Sequence, residues 1–143
     1  MVTSIYAAIL GIILIRLSIK TIQARRKLGV GIGDGNNLQM RRFIRAQGNF
    51  VEYAAIFLIL LGHAEINGLP IWTINFLGML FLIGRIMHAY SLLKDEEYQT
   101  ASNLVSYPKW RIRGMILTFI AIGSLAITIL IQMAMVFVNH FLQ

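Results

Sequence analysis

The sequence predicts an all-α integral membrane protein: a bundle of four transmembrane helices forming one domain over residues 1–143. Three observations carry that expectation. Hydrophobic residues fill 57% of the 143 positions and charged ones only 13%, against roughly 45–50% and 25% in soluble domains. Four apolar spans of about 20 residues would use roughly 80 positions, so a second, soluble domain has no room. The 13 Lys and Arg residues fall on the first and third loops or the helix turns leading into them, while the termini and the second loop carry none. The chain has no cysteine, which excludes disulfides, thiolate metal sites and a cysteine nucleophile; any thiol chemistry must use a thiol brought by a ligand. A formal charge of +7 reads first as membrane topology and attraction to anionic surfaces, then as anion binding. No nucleic acid and no metal is expected.

The first helix, about residues 4–24, begins almost at Met1 and is apolar up to Arg16 and Lys20. It lacks the basic start and small-residue cleavage site of a secretory signal, so a retained helix is expected. From Arg25 to Met40 the chain turns polar and glycine-rich, with Gly29, Gly31, Gly33 and Gly35 beside Asp34, Asn36 and Asn37, which reads as a loop. No strand precedes these glycines, so they are not a phosphate-binding loop. The second helix, about 38–63, carries Arg41, Arg42 and Arg45 before an apolar run interrupted by Glu52. A short turn holding His63 and Glu65, read as a solvated pair, leads through Pro70 to the third helix, about 70–93, with Arg85 and His88 in its last third. Lys94 to Pro108 reads as a mixed polar loop in which Asp95, Glu96 and Glu97 are solvated. The fourth helix, about 108–141, has Arg111 and Arg113 at its start and no further Lys, Arg, Asp or Glu. Trp72 and Trp110 suit the two interfacial belts. By the positive-inside rule the two basic loops are cytoplasmic and both termini lie across the membrane.

Glu52 is the demanding residue. A carboxylate that deep costs at least about 2 kcal/mol without a partner. At about 100° per residue, Arg42, Arg45, Asn49, Glu52 and Tyr53 share a face roughly 100° wide, with Gln47 pointing nearly the opposite way. Such a face should line a polar pocket, between protomers if one protomer cannot satisfy it. A purely structural ion-pair network is one reading. The surplus of Arg42, Arg45, Arg85 and Arg113 over the single carboxylate Glu52 favours an anionic ligand, for which the planar guanidinium is suited.

The run Arg42-Phe-Ile-Arg45-Ala-Gln47-Gly-Asn49-Phe-Val-Glu52-Tyr53 resembles the second-helix signature of the membrane-associated proteins in eicosanoid and glutathione metabolism, the MAPEG family. Ala24-Arg25-Arg26-Lys27, Gly33-Asp34-Gly35-Asn36, Gly84-Arg85-Ile-Met-His88 and Arg111-Ile-Arg113 follow in the order that family shows. The resemblance implies a homotrimer of four-helix protomers holding glutathione in clefts between neighbours near the cytoplasmic face. It implies Arg45, Asn49, Glu52 and Tyr53 as glutathione contacts from one protomer, with Arg25 and Gln47 reaching from the next. Glu52 would take the ammonium and the arginines the two carboxylates. His88 stands where members carry His or Tyr, and Arg113 matches the arginine that stabilises the thiolate. Two positions depart from the pattern: Ala55 and Ile56 stand where several members have a proline, and Leu92 where the eicosanoid synthases have a tyrosine.

The expectation is therefore an inner-membrane glutathione transferase. It would conjugate glutathione to hydrophobic electrophiles that partition among the membrane lipids, with peroxidase activity toward lipid hydroperoxides as a side reaction. The competing expectation is a non-catalytic membrane protein that binds glutathione or another anionic ligand, or one with a structural role.

Overall fold

The computed structural model describes residues 1–94 and 109–141. The described residues form α1 (Thr3–Leu28), α2 (Leu38–Ile66), α3 (Ile71–Leu93) and α4 (Lys109–Phe141). Each helix contains a window long and apolar enough to cross a membrane. Most of the loop expected over 94–108, including Asp95, Glu96 and Glu97, lies outside the described residues.

The helix ends follow from local chemistry. α1 runs a turn beyond the expected residue 24, so Arg25, Arg26 and Lys27 are helical rather than loop. Cations in a last turn are favoured by the exposed carbonyls there. Gly29, at φ 66°, then stops the helix in the left-handed region that glycine enters at little cost, its N–H returning to the Arg25 carbonyl. Asn37 opens α2 by accepting a hydrogen bond from the Met40 N–H at 3.0 Å. Glu65 is likewise not a solvated turn residue: it sits in the last turn of α2, and its carboxylate accepts from the backbone N–H groups of Val2 and Thr3. That seals the start of α1, whose first N–H groups have no partner within the helix.

Packing is closest between α3 and α4. A Cβ on Gly114 would lie 2.6 Å from the Gly84 carbonyl oxygen and 2.8 Å from the His88 nitrogen, so these two backbones touch because both glycines lack side chains. Thr118, Ala121 and Leu125 continue the buried stripe, and no described α4 residue beyond Leu125 is buried. Between α2 and α3 the rings of Phe57 and Phe81 stack with centroids 3.8 Å apart. α1 joins by laying the Tyr6 ring over Gly78 and donating its hydroxyl to the Asn75 carbonyl at 2.9 Å. The remaining surface is studded with exposed Ile, Leu, Met and Phe, as expected of helices facing lipid.

Candidate functional site

The polar chemistry of the bundle is divided between a closed interior cluster and an open outer face. The α3–α4 crossing at Gly84 and Gly114 sets the interior cluster, because the next residue, Arg85, enters the bundle fully buried. Its guanidinium donates to Asn49 Oδ1 at 2.6 Å and to Thr118 Oγ1 at 3.4 Å. It also meets His88 Nδ1 at 3.1 Å and stands 5.2 Å from the centre of the Tyr53 ring. A guanidinium has no acceptor, so Nδ1 must accept and the imidazole proton sits on Nε2. Thr118 is free to accept because its own hydrogen goes to the Gly114 carbonyl at 2.8 Å. No described carboxylate pairs with Arg85. The charge is held by an amide, a hydroxyl, an imidazole and an aromatic face, each a weaker counterpart than an anion.

The outer face is built differently. Arg45 and Glu52 lie seven residues apart on α2, both exposed, about 10 Å along the axis. Among the described residues Glu52 has neither an ion pair nor a hydrogen bond. Arg113 is exposed in the second turn of α4, its guanidinium 5.9 Å from the Trp110 ring centre. Leu38, Arg41, Arg42, Arg45, Leu92 and Arg111 line a cleft of about 220 Å³. Within it Arg41 pairs with Asp34 at 2.7 Å and Arg42 donates to the Lys94 carbonyl at 2.9 Å. Arg41 beside Asp34 holds that carboxyl below the usual carboxylate range.

The structure thus brings Asn49, Tyr53 and His88 together around Arg85, and leaves Arg45, Glu52 and Arg113 on the outside. The single polar face expected on the second helix has two environments: its Asn49 and Tyr53 edge turns inward, while its Arg45 and Glu52 edge turns out. Gln47 points away from both and donates to Ser18 on α1 at 3.0 Å. Arg25 donates to the Gly33 carbonyl at 3.0 Å and reaches those of Val30 and Gly31, so it shapes the glycine loop.

Sequence reasoning misplaced Arg85 and missed Thr118. Arg85 was expected among the guanidiniums facing a ligand, yet neutral groups of its own protomer surround it. The available signal was Gly84 beside it and Gly114 one turn before Thr118, since paired small residues mark a close crossing that buries whatever adjoins them.

Two comparisons bear on this arrangement. The chain is similar to the inner membrane protein YecN of two Escherichia coli strains, being 34% identical over 90 residues that cover 63% of this chain and 69% of that protein. The family model described as "MAPEG family" matches residues 3–131, a stretch that takes in α1, α2, α3, α4 as far as residue 131, and both polar clusters. The chain belongs to the MAPEG family.

Proposed function

We propose that the protein is a glutathione transferase of the inner membrane. It works as a homotrimer whose clefts hold glutathione between protomers and conjugate it to hydrophobic electrophiles dissolved among the membrane lipids. In this reading the two basic loops face the cytoplasm and the termini lie opposite.

The observation that carries the reading is Glu52: a carboxylate within a membrane-spanning helix, exposed on the protomer and unpartnered among the described residues. Such a group needs a cation from outside its own subunit. Glutathione at neutral pH brings one ammonium and two carboxylates, and the guanidinium-lined cleft around Arg45 fits the carboxylates. Family membership supports the same ligand, because the MAPEG family includes glutathione transferases. The stretch of α4 beyond Leu125, where no described residue is fully buried within the protomer and Ile129 alone is a partly buried hydrophobic packed on the core, leaves surface for self-association. In this reading Asn49 and Tyr53 reach the ligand from beside the buried Arg85, which His88 steadies, and Arg25 and Gln47 reach it from the neighbouring subunit.

Chemically the protein needs to do little. A thiol with pKa near 8.5 is mostly protonated at neutral pH, and a nearby cation raises its thiolate fraction. Arg113 supplies that charge. The thiolate lone pair forms the new carbon–sulfur bond while the leaving group departs with its bonding electrons, and the thiol proton goes to solvent. No metal and no covalent enzyme intermediate is required. With a lipid hydroperoxide the same site would use two glutathiones, giving an alcohol, water and glutathione disulfide.

Titration calorimetry and turnover of an aryl halide test this together. Wild type should bind glutathione and conjugate it, whereas Arg113→Ala should bind but lose at least about a hundredfold in rate. Unchanged turnover would overturn the role of Arg113, and absent binding would overturn the whole reading. Binding without any thiolate absorbance would identify a non-catalytic holder of glutathione.

A further inference from the structure

A second groove lies between α1 and α3, away from the residues assigned to glutathione. Ile13, Arg16, Leu17 and Lys20 line one wall and Ile86, Ala89, Tyr90 and Leu93 the other, enclosing about 360 Å³. Each wall repeats the helical spacing i, i+3, i+4, i+7, so each helix presents one continuous stripe about 10 Å long. The stripes are apolar where the groove is deep and cationic toward the basic end of the bundle. There Lys94 adds its ammonium 5.1 Å from the Tyr90 ring centre.

Arg16 and Lys20 make no ion pair or hydrogen bond among the described residues. Of the described carboxylates, Asp34 is held by Arg41 and Glu65 by the start of α1, and Glu52 is not on either wall. If hydrocarbon begins at Thr3, a thickness of roughly 30 Å ends near residue 22, placing Lys20 roughly 3 Å and Arg16 roughly 9 Å inside it. Charges at that depth snorkel toward the headgroups, draw an anion down to them or thin the membrane locally.

We infer that the α1–α3 groove is a binding site for one anionic phospholipid, its acyl chain lying along Ile13, Leu17, Ile86, Ala89 and Leu93 and its phosphate between Arg16 and Lys20. A phospholipid supplies in one molecule the two things the groove lacks, an apolar filling and a negative charge at the hydrocarbon boundary. A zwitterionic lipid brings the same phosphate with its own cation beside it, so it compensates Arg16 and Lys20 only in part, and free phosphate leaves the apolar floor bare.

Native mass spectrometry of the purified, delipidated full-length protein tests this, titrated with phosphatidylglycerol or phosphatidylcholine of matched acyl chains. Wild type should favour phosphatidylglycerol by about tenfold in apparent affinity. Arg16→Gln with Lys20→Gln should abolish the preference, whereas Arg26→Gln with Lys27→Gln, which removes the same charge outside the groove, should keep it. Ile86→Trp, which fills the groove without touching a charge, should weaken both lipids, and it decides the matter should the Arg16 and Lys20 variant fail to fold. Equal binding of the two lipids by wild type, equal loss in both double variants, or displacement by millimolar phosphate overturns the site. Loss of oligomer mass in the Arg16 and Lys20 variant with lipid retained would assign the groove to a second copy of the chain and overturn it as well.

Discussion

Arg85 and Arg45 are both guanidiniums in membrane-spanning helices, yet the protein treats them in opposite ways. Arg85 is enclosed, its two terminal nitrogens directed at Asn49, Thr118 and His88 and only its Nε–H left without a partner among the described residues. Arg45 is exposed on the same helix as, and two turns before, a Glu52 that has no partner among the described residues. A charge already answered within its own subunit is architecture, because its cost was met when the bundle closed. A charge left unanswered on the outer surface implies something still to arrive. The difference teaches where substitutions should cost stability and where they should cost binding.

The largest effect is expected at the crossing that encloses Arg85. In Gly114→Ala the new methyl would meet the Gly84 carbonyl and the His88 backbone, atoms that no rotamer change can move. The helices must separate, and we expect a loss of about 3 kcal/mol, the upper end for overpacking, read by thermal unfolding in detergent. A melt unchanged from wild type would mean that the crossing is looser than it looks and that the interior cluster is not sealed.

Asn49→Leu should follow with about 2 kcal/mol, since it removes the closest acceptor of a buried charge. Arg45→Gln should shift the same melt by less than about 0.5 kcal/mol, as surface changes do. The comparison between the two regions breaks if these two variants exchange places.

Glu52→Gln sharpens it from the other side. Losing the carboxylate should weaken glutathione binding about tenfold, worth about 1.4 kcal/mol, while the subunit's melt stays near that of wild type because Glu52 makes no ion pair or hydrogen bond among the described residues. Calorimetry checks the first statement and unfolding the second. A large loss of stability with binding retained would reassign Glu52 to structure.

The same division explains what could be read without coordinates. The number of helices was legible because an uninterrupted apolar run has one stable answer in lipid. The end of α1 was misread because Arg25, Arg26 and Lys27 look like loop by polarity, whereas the macrodipole and the left-handed Gly29 keep them helical. The polar sector of α2 was recognised, but its split was not. Helical periodicity gives an angle around one axis and says nothing of which neighbour stands at that angle, so Asn49 and Glu52 looked alike. Arg85 was illegible for a related reason: a lone cation in an apolar helix reads the same whether it lines a ligand cleft or is wrapped by its own bundle. Only the meeting of Gly84 with Gly114, an event between distant segments, decides.

The smallest effect concerns the loop between α1 and α2, where an exposed ion pair does a local job. Asp34 accepts from Arg41 at 2.7 Å and from the Asn36 backbone N–H at 3.1 Å, and both hold its pKa below the ordinary carboxylate value. A group whose folded pKa is depressed contributes its stabilisation above the unfolded pKa, near 4 for Asp, and loses it as pH falls through the lower folded value. Hydrogen exchange over Gly31–Asn37 should therefore be independent of this pair from pH 7 to about 5 and accelerate, after correction for intrinsic rates, as the pH falls below about 4. In Asp34→Asn the acceleration should vanish. The Asn49 and Arg85 pair has no carboxylate to titrate, so α3 amides around Arg85 should show no such step. A step there at the same pH would place an acid near Arg85 and remove the contrast between an interior answered by neutral groups and a surface answered by charge.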